Sequence, residues 1–497
     1  MKLLIVALVV ATVATSVKAQ NPTECLTTVE TDVDYFPDKV TAEDSALWSV
    51  SYHNTYKILR NLDSNSSYLL YQCGTTPPEE TDLYDEVIQI PIAPHVAIDE
   101  VVHIPMLEQL DQVEAIKVFL TDPQFISSPC FRDEVTAGNV VLVDRTEDDT
   151  SPDLLQNQPT SADQVMEILN NVSVAFVSPF QTEIPGVDTY VKVSFYAELT
   201  NAGIFEWVKF YSTFFNLESV ANEAVEAAAD RYQCVAENAG RIEADLPNPP
   251  TVLWAYYSDY CLGWSVAKCP NYYCEFASSC SADILSDDDG SLSYSVEACG
   301  TKYMNVAELV EFGKDADHWI FPAPNWEATF AEFETELSVM KAVQNEQVFD
   351  YLGAGPNAWY EERYASYYDV VQDFCSVVGT TSPLPGGRWF RNVFTHDEGE
   401  PGQCTAEGKH SILPYNFECL QEDFDLPVHS PVAGSPVAAP VAEAPVDAPV
   451  AENPASQPVA QPPAGATVAE PQTSSGGLSM WSIYYSGAVI ALLITLH

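Results

Sequence analysis

Positive charge is scarce in this chain: 20 Lys and Arg stand against 72 Asp and Glu in 497 residues, a formal net charge of −52. A surface so short of cations excludes nucleic acid and anionic lipid headgroups as partners, because basic patches hold both. It also disfavours a strongly anionic ligand unless a local basic pocket exists. The acidic excess reads as a solubilising, self-repelling surface in a salty, well-screened medium. Catalytic signatures are missing too. The chain has no G-x-S-x-G elbow, no H-E-x-x-H and no G-x-x-x-x-G-K-[ST] phosphate loop. Its eight His are scattered, and His53 and His103 read as structural hydrogen-bonding residues rather than ligands or bases. The many carboxylates form no recognisable pair for glycoside hydrolysis. No resident cofactor and no metal are expected. The run Asp287-Asp288-Asp289-Gly290 lacks the alternating ligands and distal Glu of a calcium loop and reads as a solvated turn.

Long apolar runs bracket the chain. Met1–Ala19 has a basic start, an apolar centre and a small residue before Gln20, the pattern of a secretory signal. Met480–Leu496 follows Ser474-Ser475-Gly476-Gly477 and has no Lys or Arg beyond it. Its small residues and terminal apolar run fit a glycolipid-anchor signal, with a single short transmembrane helix as the alternative. Export followed by C-terminal tethering is the expectation, at the cell surface or in an endomembrane compartment. The twelve Cys then read as disulfides. Cys261, Cys269, Cys274, Cys280 and Cys299 crowd one region, so part of the pairing is expected to be local there; without a C-x-x-C pair or an interleaved His, zinc is disfavoured. Asn65 and Asn171 open N-x-S sequons.

Between the apolar ends the chain reads as α/β. Apolar runs at 68–71, 87–92, 140–143 and 174–177 predict strands, and helical spacing covers 106–116 and 162–169. Alternation of the two favours parallel pairing. Residues 204–239 recur with helical period and meet no Pro, so one or two long amphipathic helices are predicted. A second α/β run follows, with strands at 251–256 and 318–321 and helices at 306–312, 326–337 and 367–377. The predicted organisation is a signal (1–19), an N-terminal α/β lobe (20–200), a linking helix (201–245), a C-terminal α/β lobe with a Cys-rich insertion (246–426), a Pro/Ala/Val-rich stalk (427–475) and a hydrophobic anchor signal (476–497).

Aromatic residues are the positive functional signal. Trp254 and Tyr256 lie on the strand that opens the second lobe, Trp326 and Glu327 follow the strand ending at Phe321, and Phe205 and Trp207 start the long helix. Ligands bind beyond the carboxyl ends of strands in open α/β sheets, where Trp and Tyr can stack on a large planar molecule. Trp326 sits after Pro322-Ala323-Pro324-Asn325, a turn context that predicts a ring free for a ligand.

Ordered motifs then carry a resemblance. Tyr35–Val40 reads YFPDKV, 50–57 reads VSYHNTYK, His103–Glu108 reads HIPMLE, Glu206–Phe210 reads EWVKF, Ala316–Ile320 reads ADHWI and Val343–Phe349 reads VQNEQVF. In that order they resemble bacterial substrate-binding proteins for iron complexes and cobalamin, over roughly residues 35–395. With the signal, stalk and tail, the chain is similar to the cobalamin-acquisition family of eukaryotic algae. The resemblance implies a class III periplasmic-binding-protein-like fold, a rigid helix between two lobes, and a corrinoid in the cleft. It implies ligand contacts at Tyr52, Phe205, Trp207, Trp326 and Glu327. It implies a non-enzymatic capture protein for cobalamin that hands its ligand to a membrane carrier or endocytic receptor. An iron–siderophore receptor is the alternative, and a cell-surface hydrolase the rival from another class.

Overall fold

The computed structural model describes residues 20–404, apart from 31, 144–160, 180, 182–185, 244–247, 289 and 382–388. The predicted signal, stalk and anchor lie outside the described residues.

In the first lobe β1 (Trp48–Tyr52), β2 (Tyr56–Asn61) and β3 (Ser66–Gln72) pair antiparallel, and β4 (Glu86–Ile90) runs parallel to β3. The links between the first three strands are too short for a crossover helix, so the strands must reverse at each turn. Asn65 takes a left-handed φ of 53° at the second turn, a conformation Asn tolerates. Residues 68–71 are thus a strand as predicted, and the strand predicted over 87–92 ends at Ile90; both lie in a separate, mostly antiparallel sheet.

The parallel sheet follows. It is built from β5 (Val96–Ile98), α1 (His103–Glu108), β6 (Ile116–Phe119), α2 (Pro129–Thr136), β7 (Val141–Leu142), α3 (Ala162–Leu169), β8 (Val174–Val177) and β9 (Tyr190–Lys192). Its strand order is β7-β6-β5-β8-β9. Every residue of β5 and β8 is buried, as covered parallel strands require. Ser128 caps α2 by accepting from the Phe131 amide, and Pro129 sits at the first turn, where no amide hydrogen is needed.

Two helices connect the lobes. α4 (Asn201–Phe215) starts at the Thr200 cap and ends where Asn216 turns left-handed; α5 (Glu218–Glu243) follows. At 1.5 Å per residue, α5 spans roughly 39 Å, long enough to serve both lobes. Ala221 and Ala228 lie in the first hydrophobic core, Val235 and Ala239 in the second.

The second lobe comprises β10 (Thr251–Ser258), β11 (Gly263–Val266), α6 (Tyr272–Ser279), β12 (Asp283–Leu285), β13 (Val296–Ala298), β14 (Thr301–Tyr303), α7 (Val306–Gly313), β15 (His318–Ile320), α8 (Trp326–Leu337), α9 (Lys341–Gln344), β16 (Val348–Asp350), α10 (Ala358–Glu361), α11 (Tyr367–Val377) and β17 (Arg391–Asn392). β12, β10, β15 and β16 run parallel, with β11 and β17 antiparallel at the margins. The molecule therefore has two α/β lobes with helices between them.

Disulfides join Cys25–Cys73, Cys130–Cys404, Cys261–Cys299, Cys269–Cys274 and Cys280–Cys375. Cys234 is also disulfide-bonded. In the Cys-rich insertion two bridges are local, while Cys280 instead ties α6 to α11 in the core. Among the described residues no cluster of His, Cys, Asp or Glu could hold a metal, and no helix is long and apolar enough to cross a membrane.

Candidate functional site

In the first lobe's parallel sheet the chain runs from β5 to β6 and β7 on one side, then crosses to β8 and β9 on the other. The order reverses between β5 and β8, and beyond the carboxyl ends of strands at such a point is where open α/β sheets place ligands. Asp99, directly after β5, spans this point. One of its oxygens contacts His103 Nε2 at 2.8 Å, and the other accepts the Ser178 amide, just after β8, at 2.8 Å. The carboxylate makes Nε2 the donor, and Nδ1 lies 2.5 Å from the Tyr211 hydroxyl. His103 is the structural hydrogen-bonding residue its sequence context predicts. Beside it, burial and the Asp99 charge push the Glu100 carboxyl up to about 8.

The helix that follows β5, α1, packs against α10 and the short turn Arg363–Ala365 of the second lobe. This seam is polar and buried. The carboxylate of Glu361 faces the start of α2, accepting the amides of Ser127 and Ser128, the latter at 2.9 Å. Ser127 Oγ donates to Glu362 at 3.0 Å and Ser128 Oγ donates to Glu108 at 2.6 Å. Burial drives the Glu361 carboxyl well above the usual carboxylate range; the neighbouring charges of Glu362 and Glu108 add to this and the two amides oppose it. The Asn357 amide donates to the Gln124 carbonyl at 2.8 Å, and Cys130–Cys404 covalently ties α2 to the segment after β17. Aromatic rings line the same boundary: Phe195 lies 5.2 Å from Tyr364, and Phe205 lies 5.7 Å from Tyr367. Beside the disulfide, a groove of about 640 Å³ is lined by Pro129, Arg132, Asp133 and residues 400–404, with no aromatic ring.

The predicted site residues fall in separate places. Phe205 is buried at the contact of α4 with Tyr367 and Tyr368 of α11, on the seam. Trp254 is buried in the second core, stacked on Tyr273 at 5.2 Å and 6.2 Å from Trp359. Tyr256 is buried two residues further along β10. Tyr52 belongs to a polar knot in the first lobe: its hydroxyl donates to Glu218 at 3.3 Å and accepts the Val40 amide at 3.2 Å. Trp207 has no exposed surface, rests on Phe210 at 4.8 Å and donates its indole N–H to Glu198 at 3.1 Å. Glu327 is a largely exposed carboxylate 3.3 Å from Arg391. Trp326 contradicts the expectation of a free ring. It starts α8, is 3% exposed, stacks on Phe330 at 5.3 Å and meets Trp319 edge-on at 5.2 Å. The Pro-rich turn before it ends at the helix start and folds the ring back onto β15.

Residues that sequence reasoning passed over stand at the end of β5, Asp99, and on the seam, Glu361, Glu362, Arg363 and Tyr364. The run Trp359-Tyr360-Glu361-Glu362-Arg363-Tyr364 gives one signal, a dense mix of aromatics and charge at a break in helical periodicity.

No protein-family model matches the chain. It is similar to an uncharacterized lipoprotein of Methanocaldococcus jannaschii, 30% identical over 234 residues that cover 46% of this chain and 47% of that protein. The chain thus spans about half the length of the curated relative it matches. Among solved structures it is similar to a periplasmic heme-binding protein from Pseudomonas aeruginosa, with a TM-score of 0.41, 11% identity, and coverage of 63% of this chain and 99% of that one. It is also similar to FhuD2 from Staphylococcus aureus with bound ferrioxamine B, with a TM-score of 0.38, 12% identity, and coverage of 57% and 98%. The two-lobed α/β description stands on the strand order above.

Proposed function

We propose that this chain is a non-enzymatic extracellular binding protein that captures cobalamin in the cleft between its lobes at 20–200 and 246–426. What supports the reading is placement: α1, which follows the carboxyl end of β5, packs against α10 and the turn 363–365 of the second lobe, and Phe195 meets Tyr364 and Phe205 meets Tyr367 along that boundary. Cobalamin is large, rich in amides and nearly neutral, so a wide aromatic cleft suits it and an acidic surface does not repel it. The ordered motifs from YFPDKV to VQNEQVF support the same reading. Phe205 meets Tyr367 on the seam, and Trp254 packs against Tyr272 and Trp359 in the second core; these two are the contacts this reading expects the ligand to reach first. Tyr52, Trp207 and Trp326 pack inside the lobes, Tyr256 is buried in β10 and Glu327 faces Arg391. In this reading the apolar segment 480–496 tethers the protein to a membrane, and a carrier or endocytic receptor completes uptake.

Calorimetric titration of the purified protein with cyanocobalamin, run beside ferric siderophores, tests this. Saturable heat with cyanocobalamin alone is expected. Tight binding of a siderophore with no cobalamin heat would replace this ligand by the rival one.

A further inference from the structure

Four Lys and Arg residues are buried among the described residues: Lys57, Lys209, Arg363 and Arg391. A buried cation needs a counter-charge. Lys57 has Glu218, Lys209 has Glu206, and Arg391 has Asp350. Arg363 pairs with no carboxylate among the described residues, in a chain where acids outnumber bases by 72 to 20. Its two sequence neighbours on that side are turned elsewhere: Glu361 takes the amides of Ser127 and Ser128, and Glu362 takes the Ser127 hydroxyl. Arg363 Nε has no hydrogen-bond partner among the described residues.

What surrounds the guanidinium instead is aromatic. Its central carbon lies 4.0 Å from the Tyr272 ring, 4.3 Å from Tyr364 and 5.2 Å from Trp359. Rings satisfy the flat face of the cation, but its N–H donors lie in its plane and gain nothing from them. The cage stands on the seam. The Tyr272 carbonyl accepts the Asn201 side chain of α4 at 3.1 Å, and Tyr364 faces Phe195 of the first lobe.

We infer that Arg363 is an oxyanion-binding point in the cleft, held by its aromatic cage so that its in-plane donors take one acidic group of the ligand. It is the local basic pocket without which the overall charge would disfavour any anion. Planar, bidentate recognition of this kind is what guanidinium offers and ammonium does not. In one respect the inference rests on the cobalamin reading: the group assigned to Arg363 is then the single phosphodiester of the nucleotide loop.

Two arms keep the inference and that reading apart. In the first, wild type, Arg363→Met and Arg363→Lys are titrated with dimethyl phosphate, a phosphodiester monoanion, and followed by calorimetry and by tryptophan emission, since Trp359 borders the cage. Wild type should bind saturably at millimolar concentration, and both variants should lose roughly tenfold or more. The Lys variant keeps the charge and serves if the Met variant does not fold. Absence of saturable binding to wild type, or binding unchanged in a folded variant, overturns the inference. In the second arm, cyanocobalamin is compared with cobinamide, which lacks the phosphodiester. Arg363→Lys should weaken cyanocobalamin by roughly tenfold and leave cobinamide unchanged. Equal losses for both would overturn the assignment of that group. If neither corrinoid binds wild type, the cobalamin reading fails and the dimethyl phosphate arm still decides Arg363.

Discussion

Tyr52 and Glu206 sit in the most recognisable motifs of the sequence, and both act as fasteners. Lys57 of the same VSYHNTYK stretch donates to Glu218, to Asn216 at 2.7 Å and to the Thr213 carbonyl at 2.8 Å, so the second strand is bolted to the junction of α4 and α5. Glu206 collects the amides of Glu43, Asp44 and Ser45 at 2.8–2.9 Å and pairs with Lys209. A carboxylate receiving three amides is a strong local fixture. Trp326 belongs with them. Replacing it by Ala removes a ring wedged among Trp319, Phe321 and Phe330. The expected cost is about 3–5 kcal/mol of folding stability, with cobalamin affinity of the folded fraction unchanged. Thermal melts paired with calorimetry check this. A normal melt with lost binding would return Trp326 to the ligand.

At the scale of elements, periodicity carried far. The helix at 367–377 and the strand at 174–177 match the sequence expectation in their bounds, as does the helix at 326–337 apart from a kink at Phe333, because their apolar residues recur at the period of each element. Partnering across long separations was not legible. Ser127 and Glu361 meet across 234 residues, and Cys130 and Cys404 across 274, with nothing local to announce either. Arg363 was hidden for the same reason, since which of the described carboxylates pairs with a cation is set by the fold and not by its sequence neighbours. The α2 contact has a pH consequence. The Glu361 carboxyl is raised in the folded state, so its stabilising contribution is complete below the ordinary glutamate value of about 4.3 and is lost as pH climbs through the raised value. The seam should therefore tighten on acidification. Hydrogen exchange, corrected for intrinsic rates, should show α2 and residues 358–365 better protected at acid than at neutral pH, and Glu361→Gln should flatten the difference. Weaker protection at acid pH in wild type would reverse the sign and point to another titrating group.

For the whole molecule the governing quantity is the net charge of −52. Like charges on one surface favour separation, so compaction works against the chain's own field. Mobile ions weaken that field: the screening length falls from about 30 Å at 0.01 M salt to about 8 Å at 0.15 M. The melting temperature should rise by several degrees over that interval of sodium chloride, a range low enough that general salt effects on apolar hydration are small. The same field acts on approaching ligands and separates the two candidates kinetically. Cyanocobalamin carries no net charge, so its association rate should stay level across the salt series. A cationic ferric siderophore complex should be drawn in quickly at low salt and slow steeply as salt is added, as steered encounters do. Stopped-flow absorbance reads both. A melting temperature indifferent to salt would show that the carboxylates do not repel one another in the folded state, and the field invoked for steering would go with them. A level rate for the cation, with the melt still salt-sensitive, would mean that the acidic surface lies away from the path by which the ligand enters.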